Sequence, residues 1–409
     1  MFPTCYDDSV ANCACLGDHV YAPGVVANAY DTLGPVFPSK QLTFTVRRTQ
    51  FLQRGAGPML GGHVFYPERT GGCLAVMEGA VTLKQPVMHV FYSNFMPAAF
   101  PKSGDNVPLF AVNTGEGTTG LGRISTWQNF RQPPLLAGLG PLGKGEYLLK
   151  KGGYVAMLPS TLGLTSVLFN LSDEPMRAAP NEAIGGFALL SPRNNDFQAG
   201  EVVPYQYLVL YDPIDEPALN TMRIEALRKY LGLTGENGCG LVVKRGKIIS
   251  QWGINDLAPE GGVIEFEVPN PGWRVNQPLP FRFSGFNPNW TVGQLQVAGY
   301  SPGYYTNGQN VYRQIALDDR NQGFLSVYPD YAGRTVEMVG HPVQCDHPDL
   351  IIEVTQLSVK PLSYHVAVNN PTDAPIKATL KKTMDLPGFD FPDTPVEVPA
   401  GGYLVAKEK

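Results

Sequence analysis

The chain has 409 residues, a formal net charge of −5 and only 16% charged residues, against 45 Gly and 37 Pro. Such a length exceeds one ordinary domain, and the Gly and Pro content favours a turn-rich β protein over a helical or disordered one. The mild, unpatterned charge carries no basic stripe and argues against a nucleic-acid partner.

No apolar run reaches the roughly 18 residues a spanning helix needs, so no membrane span is expected. The start, MFPTCYDDSV, has neither a basic stretch nor an apolar core, so it does not read as a signal peptide. Two readings stay open: a cytoplasmic protein, or a segment of a longer one whose export signal lies upstream. Cys5, Cys13, Cys15, Cys73, Cys239 and Cys345 are too sparse for a disulfide scaffold, although one or two bridges fit.

Residues 1–40 show no sustained period and are expected to be irregular. From Gln41 strands begin: Leu42, Phe44 and Val46 alternate with Thr43, Thr45 and Arg47, the period of a half-buried strand. Gly61–Tyr66, Cys73–Met77 and Val87–Phe95 continue in this manner. Ala98–Leu142 reads as loop. Strands resume over Glu146–Leu149, Tyr154–Leu158, Ser166–Leu171, Ala183–Leu190 and Tyr205–Tyr211.

One helix is expected near 216–231. Leu219, Met222, Ala226, Leu227, Tyr230 and Leu231 share a face, with Arg223, Glu225, Arg228 and Lys229 mostly opposite. Asp215 is placed to cap it and Gly232 to end it. Beyond it, Lys244-Arg245-Gly246 reads as a hairpin turn between Gly240–Val243 and Lys247–Ser250. Further strands are expected at Val263–Val268, Pro280–Phe286, Gly323–Tyr328 and Thr335–Gly340, and Tyr300–Tyr312 reads as an aromatic loop. The tail carries strand signals at Ile351–Leu357, Tyr364–Val368, Ile376–Lys381, Val396–Val398 and Tyr403–Ala406.

The fold class expected is mainly β: a large antiparallel β-sandwich over 41–345 with one central helix, and a small C-terminal β-sandwich module over 346–409. No internal repeat is evident.

The chemistry is less legible. His63 and Tyr66 are base and acid candidates, with Glu68 as a carboxylic acid and Arg69 as an anion clamp. Strand alternation puts His63 and Tyr66 on opposite faces, so an ordinary strand end is the competing reading. Arg123, Trp127 and Arg131 in the long loop suit a sugar with a carboxylate or sulfate, or else Trp127 pins the loop. Trp290, Tyr304 and Tyr305, among neighbouring amides, suit carbohydrate contact or packing on a sheet.

Cys13-Ala14-Cys15 is too tight for a zinc knuckle, Asp318–Gly323 reads as a turn, and His341, Asp346, His347 and Asp349 are weak as metal ligands. No metal and no cofactor is expected. GxSxG, P-loop, HExxH and CxxC signatures are missing from the sequence, and its GxGxxG spacings at Gly115–Gly120 and Gly138–Gly143 open no expected helix, which removes many standard enzymes but not carbohydrate enzymes.

Gly152-Gly153-Tyr154-Val155-Ala156-Met157-Leu158-Pro159, then Phe197-Gln198-Ala199-Gly200-Glu201, then the single helix, resemble the galactose-mutarotase-like super-sandwich region of bacterial carbohydrate-active proteins. The tail His365-Val366-Ala367-Val368-Asn369-Asn370-Pro371-Thr372-Asp373-Ala374-Pro375 resembles the small β module attached to them. This resemblance implies a secreted or periplasmic protein, a polysaccharide or oligosaccharide partner, and further domains in a larger polypeptide. As an enzyme it would be a polysaccharide lyase or glycoside hydrolase, with an Arg neutralising a uronate so that the neighbouring proton can leave. Without catalysis it would be a sugar-binding or scaffold portion.

Overall fold

The computed structural model describes residues 13–15, 26–31, 39–47, 56–67, 73–83, 89–95, 109–116, 120–123, 135–136, 140–141, 147–158, 165–181, 186–190, 198, 200–212, 217–235, 237–270, 279–300, 310–318, 320–327, 335–359 and 361–408, with side-chain detail beginning at residue 110. The protein is mainly β, with one helix among the described residues. Two compact units divide it: residues 1–31 with 41–236, and residues 32–40 with 237–409.

The first unit carries a nine-stranded and a five-stranded sheet. In the nine-stranded sheet Val202–Asp212, Thr165–Asn170, Tyr154–Leu158 and Leu109–Asn113 are successive antiparallel neighbours. The five-stranded sheet contains Gly186–Leu190, Met176–Asn181 and Tyr147–Leu149. Phe110 and Phe187 meet between the sheets edge to face at 5.3 Å, and both are fully buried. Strands Cys13–Cys15 and Val26–Asp31 lie in the segment expected to be irregular. Leu109–Asn113 and Gly120–Arg123 lie in the segment read as loop.

The helix runs Pro217–Tyr230. Its end is set by Gly232 at φ +74°, with Gly232 N–H donating to Lys229 O and Leu233 N–H to Arg228 O, the six-to-one closure that a left-handed glycine permits. Asp215 lies outside the described residues. The buried stripe is Ile224, Leu227 and Leu231 with Tyr230, at helical spacing. Arg228, expected on the outer face, is only 11% exposed. Its guanidinium turns inward to the carbonyls of Gly152 and Gly115.

In the second unit, a five-stranded sheet includes Val263–Val268, Thr335–Gly340 and Gln294–Tyr300, and a four-stranded sheet includes Asn255–Ala258 and Leu279–Phe283. Phe266 packs on Phe281 at 4.5 Å. Val263–Val268 alternates as expected, with Glu265 and Glu267 outward toward Lys244. The expected hairpin at Lys244–Gly246 does not form. Val242–Arg245 pairs with Val263–Val268 in one sheet, while Lys247–Ser250 pairs with Asn255–Ala258 in the other. Gly246, at φ +106°, turns the chain between sheets where a Cβ would lie 2.7 Å from Ala258 O. Arg245 is drawn off to the carbonyls of Glu260, Gly261 and Thr383.

The C-terminal strands form a small sandwich. One sheet is Val343–Cys345, Ile376–Lys382 and Thr394–Val398; the other is Ile351–Val359, Leu362–Asn369 and Tyr403–Glu408. Its core of Leu350, Ile352, Tyr364, Val366, Leu380 and Phe389 also takes in Val263, and Trp290, Ala298 and Met338 pack against it.

A recurrence links the two units. Leu149-Lys150-Lys151-Gly152-Gly153-Tyr154 carries the chain from one sheet to the other, and so does Val398-Pro399-Ala400-Gly401-Gly402-Tyr403. Gly152 and Gly401 have φ of +77° and +60°. Against each arch lies a second, Asn170-Leu171-Ser172-Asp173-Glu174-Pro175 or Asn370-Pro371-Thr372-Asp373-Ala374-Pro375. Asn170 donates from its main chain to Gly153 O and from its side chain to Leu149 O and Glu174 O. Asn370 does the same to Gly402 O, Val398 O and Ala374 O. The flanking strands pair alike in both places.

Candidate functional site

Polar groups converge at three described places. The first is the helix docking point. Glu225 Oε1 accepts from Asn113 Nδ2 at 3.0 Å and from the Tyr154 hydroxyl at 2.8 Å, and Oε2 lies 3.4 Å from Arg228 Nη1. Asn113 and Tyr154 are buried in the sheet, while Glu225 is 35% exposed. A carboxylate gripped this way is a poor proton acceptor for a substrate, because its lone pairs already face donors. This is a clasp.

The second is the outer side of the four-stranded sheet, where Asp256 takes a two-pronged contact from Arg282 at 2.9 and 2.8 Å and a bond from Ser284 at 3.0 Å. It too is saturated. Near the start of the small sandwich, His341 is buried with Nδ1 on Val343 O. Burial holds its pKa down to about 4, against the pull of the Val343 and Ile352 carbonyls. His347 lies 3.9 Å from Asp349 and its N–H reaches Cys345 Sγ. Among the described residues no three His, Cys, Asp or Glu side chains gather as metal ligands.

The third place differs in kind. On the strands Ile351–Val359, Leu362–Asn369 and Tyr403–Glu408, Val366 and Val368 point into the core, so alternation turns His365, Ala367 and Asn369 outward. Register sets Tyr403 opposite Asn369, Val405 and Glu353 beside Ala367, and Thr355 beside His365. Tyr403 is 59% exposed, yet its hydroxyl lies 3.3 Å from His365 Nε2. To span from the Asn369 row to His365 the ring must lie along the sheet over Ala367. That accounts for Ala367 being 1% exposed although it faces outward. The result is a largely exposed tyrosine tied at its hydroxyl to the neighbouring strand. Asn369 and Glu353, both exposed, and Thr355, which donates to Glu353 Oε1 at 3.3 Å, surround it.

The first unit contains the same frame in covered form. Tyr154 follows its Gly-Gly arch as Tyr403 does, and pairs with Phe169 where Tyr403 pairs with Asn369. There the helix closes the face and Glu225 takes the tyrosine hydroxyl. In the terminal sandwich no described helix does so, and an amide replaces the phenyl ring.

The residues singled out from sequence fall elsewhere. His63 and Tyr66 lie on the strand Ala56–Pro67, which pairs with Cys73–Leu83. Arg123 ends the strand Gly120–Arg123. Glu68, Arg69, Trp127, Arg131, Tyr304 and Tyr305 lie outside the described residues. Trp290 is described: it packs against the terminal core with its indole N–H buried and unbonded, which fits packing better than ligand contact. Asp318 accepts from the N–H groups of Arg320 and Gln322, the closed turn expected there. Sequence reasoning missed Tyr403, His365 and Asn369. The available signal was alternation along Tyr364–Val368 and Tyr403–Ala406, which puts these polar groups on the side away from the valines.

No protein-family model matches the chain, and no curated protein matches it in sequence. Among solved structures, a galactose mutarotase related enzyme from Lactobacillus acidophilus aligns at 10% identity and a TM-score of 0.22, covering 46% of this chain and 73% of its own. An oxalate decarboxylase structure aligns at 8% identity and a TM-score of 0.14, covering 79% and 78%. Superpositions this loose establish neither a common fold nor a common activity.

Proposed function

We propose that this chain is a non-catalytic carbohydrate-binding β protein whose terminal sandwich holds a polysaccharide against the Tyr403 face. One observation carries the reading: a largely exposed tyrosine reaches along a sheet to His365, with Asn369, Thr355, Glu353 and the half-exposed Val405 as its neighbours. A pyranose offers the complement, with C–H groups on its faces and hydroxyls around its rim. The ring supplies apolar contact and the amide, hydroxyl and carboxylate take the rim hydroxyls. The saturated carboxylates at Glu225 and Asp256 support a binding role over an acid–base one.

Affinity electrophoresis of the whole chain on a panel of soluble polysaccharides tests this, with Tyr403→Ala alongside. A shallow one-ring site should bind on the order of a millimolar. Losing the ring should weaken binding by about tenfold. The thermal midpoint should hold, since Tyr403 is mostly outside the core. Retardation unchanged in Tyr403→Ala, or release of reducing ends or unsaturated uronates by the wild type, would sink the proposal.

A further inference from the structure

Resting on that reading, we infer that the Tyr403 face selects neutral glycans and that Glu353 is the residue that turns acidic ones away. Glu353 is the charged side chain described beside the ring, and register sets a second acidic position, Glu408, opposite His365. Glu353 sits on the row of Ala367, directly beside the strip over which the Tyr403 ring lies. Thr355 donates to Oε1 at 3.3 Å.

A sugar stacked on the ring brings its rim within reach of this carboxylate. A hydroxyl there donates to it and is held; a uronate or sulfate there meets like charge. The described exposed cations of the sandwich, Lys377, Lys381 and Lys382, belong to Ile376–Lys382 in the other sheet, where Lys377 faces Glu397 at 3.5 Å. That sheet has an ordinary solvated exterior of mixed charge, and no described ammonium or guanidinium relieves the negative charge beside Tyr403.

Comparison with the first unit argues against a protein helix as the occupant. The covered face there pairs its tyrosine with Phe169, both fully buried, and gives the tyrosine hydroxyl to Glu225 of the helix. The terminal face has Asn369 at the position of Phe169 and Glu353 at its centre, groups that an apolar helix stripe would leave unpaired. Polar hydroxyls satisfy them.

The experiment is a titration of the full-length chain with a neutral galactan oligomer and a polygalacturonate oligomer of equal length at low ionic strength. Wild type, Glu353→Gln and Tyr403→Ala are compared. The wild type should prefer the neutral oligomer by about tenfold. Glu353→Gln should raise polygalacturonate binding by about threefold to fivefold and leave galactan within twofold, a gain that fades in 0.5 M salt. Equal or tighter binding of polygalacturonate that still disappears in Tyr403→Ala overturns the selectivity and leaves the platform standing. An unchanged acidic-to-neutral ratio in Glu353→Gln overturns the role of that residue. Indifference of all binding to Tyr403→Ala, or no binding of either oligomer, overturns the platform itself.

Discussion

Asn370 is fully buried and commits its whole amide to the main chain: Nδ2 faces the carbonyls of Ala374, Val398 and Pro399, and Oδ1 accepts from Thr372. Removing it leaves several buried groups without partners, so Asn370→Ala should cost about 3 kcal/mol in urea unfolding. Asn370→Asp keeps the volume but loses the donors, and should cost at least as much. His341 gives a pH dependence. Its folded pKa of about 4 lies below the ordinary 6.5, so the unfolded chain binds the proton more readily. Stability is therefore complete above pH 6.5 and declines by about 3 kcal/mol as the pH falls to 4. Denaturant midpoints measured from pH 7 to 4 should show that slope, and His341→Leu should flatten it.

At the scale of elements, the described helix was legible because its apolar period and its glycine stop signal agree. Its orientation was not, since amphipathic counting places Arg228 outward while unfilled carbonyls on two glycine turns draw it in. Glu225→Ala should loosen the helix by about 2 kcal/mol, read as faster amide exchange across Pro217–Tyr230. Most long strands were legible from alternation. Met176–Asn181 was missed because Pro180 argues against a strand. The turn at Lys244–Gly246 looked like a hairpin because local chemistry specifies a reversal without saying which sheet receives the next strand. The binding face was hidden for a related reason. His365 and Tyr403 are 38 positions apart, and only register brings them together.

For the molecule as a whole, the terminal sandwich does not close its core alone. Val263 belongs to that core, and Trp290 and Met338 pack against it, so unfolding should pass from one to the other. Leu380→Ala, at a fully buried site, should cost about 3 kcal/mol. It should also speed exchange in Val263–Val268 and Thr335–Gly340 by the same factor as in Ile376–Lys382; a loss confined to Ile376–Lys382 would show an autonomous sandwich.

The paired arches have a consequence for how the two units can be compared. In the first unit the glycine arch comes before the asparagine arch, and in the second it comes after. The two share hydrogen bonds but not chain order, as if one were read from a different starting point on a ring. Any comparison that advances along both units in step can match one arch or the other, never both, so the likeness is visible only in space.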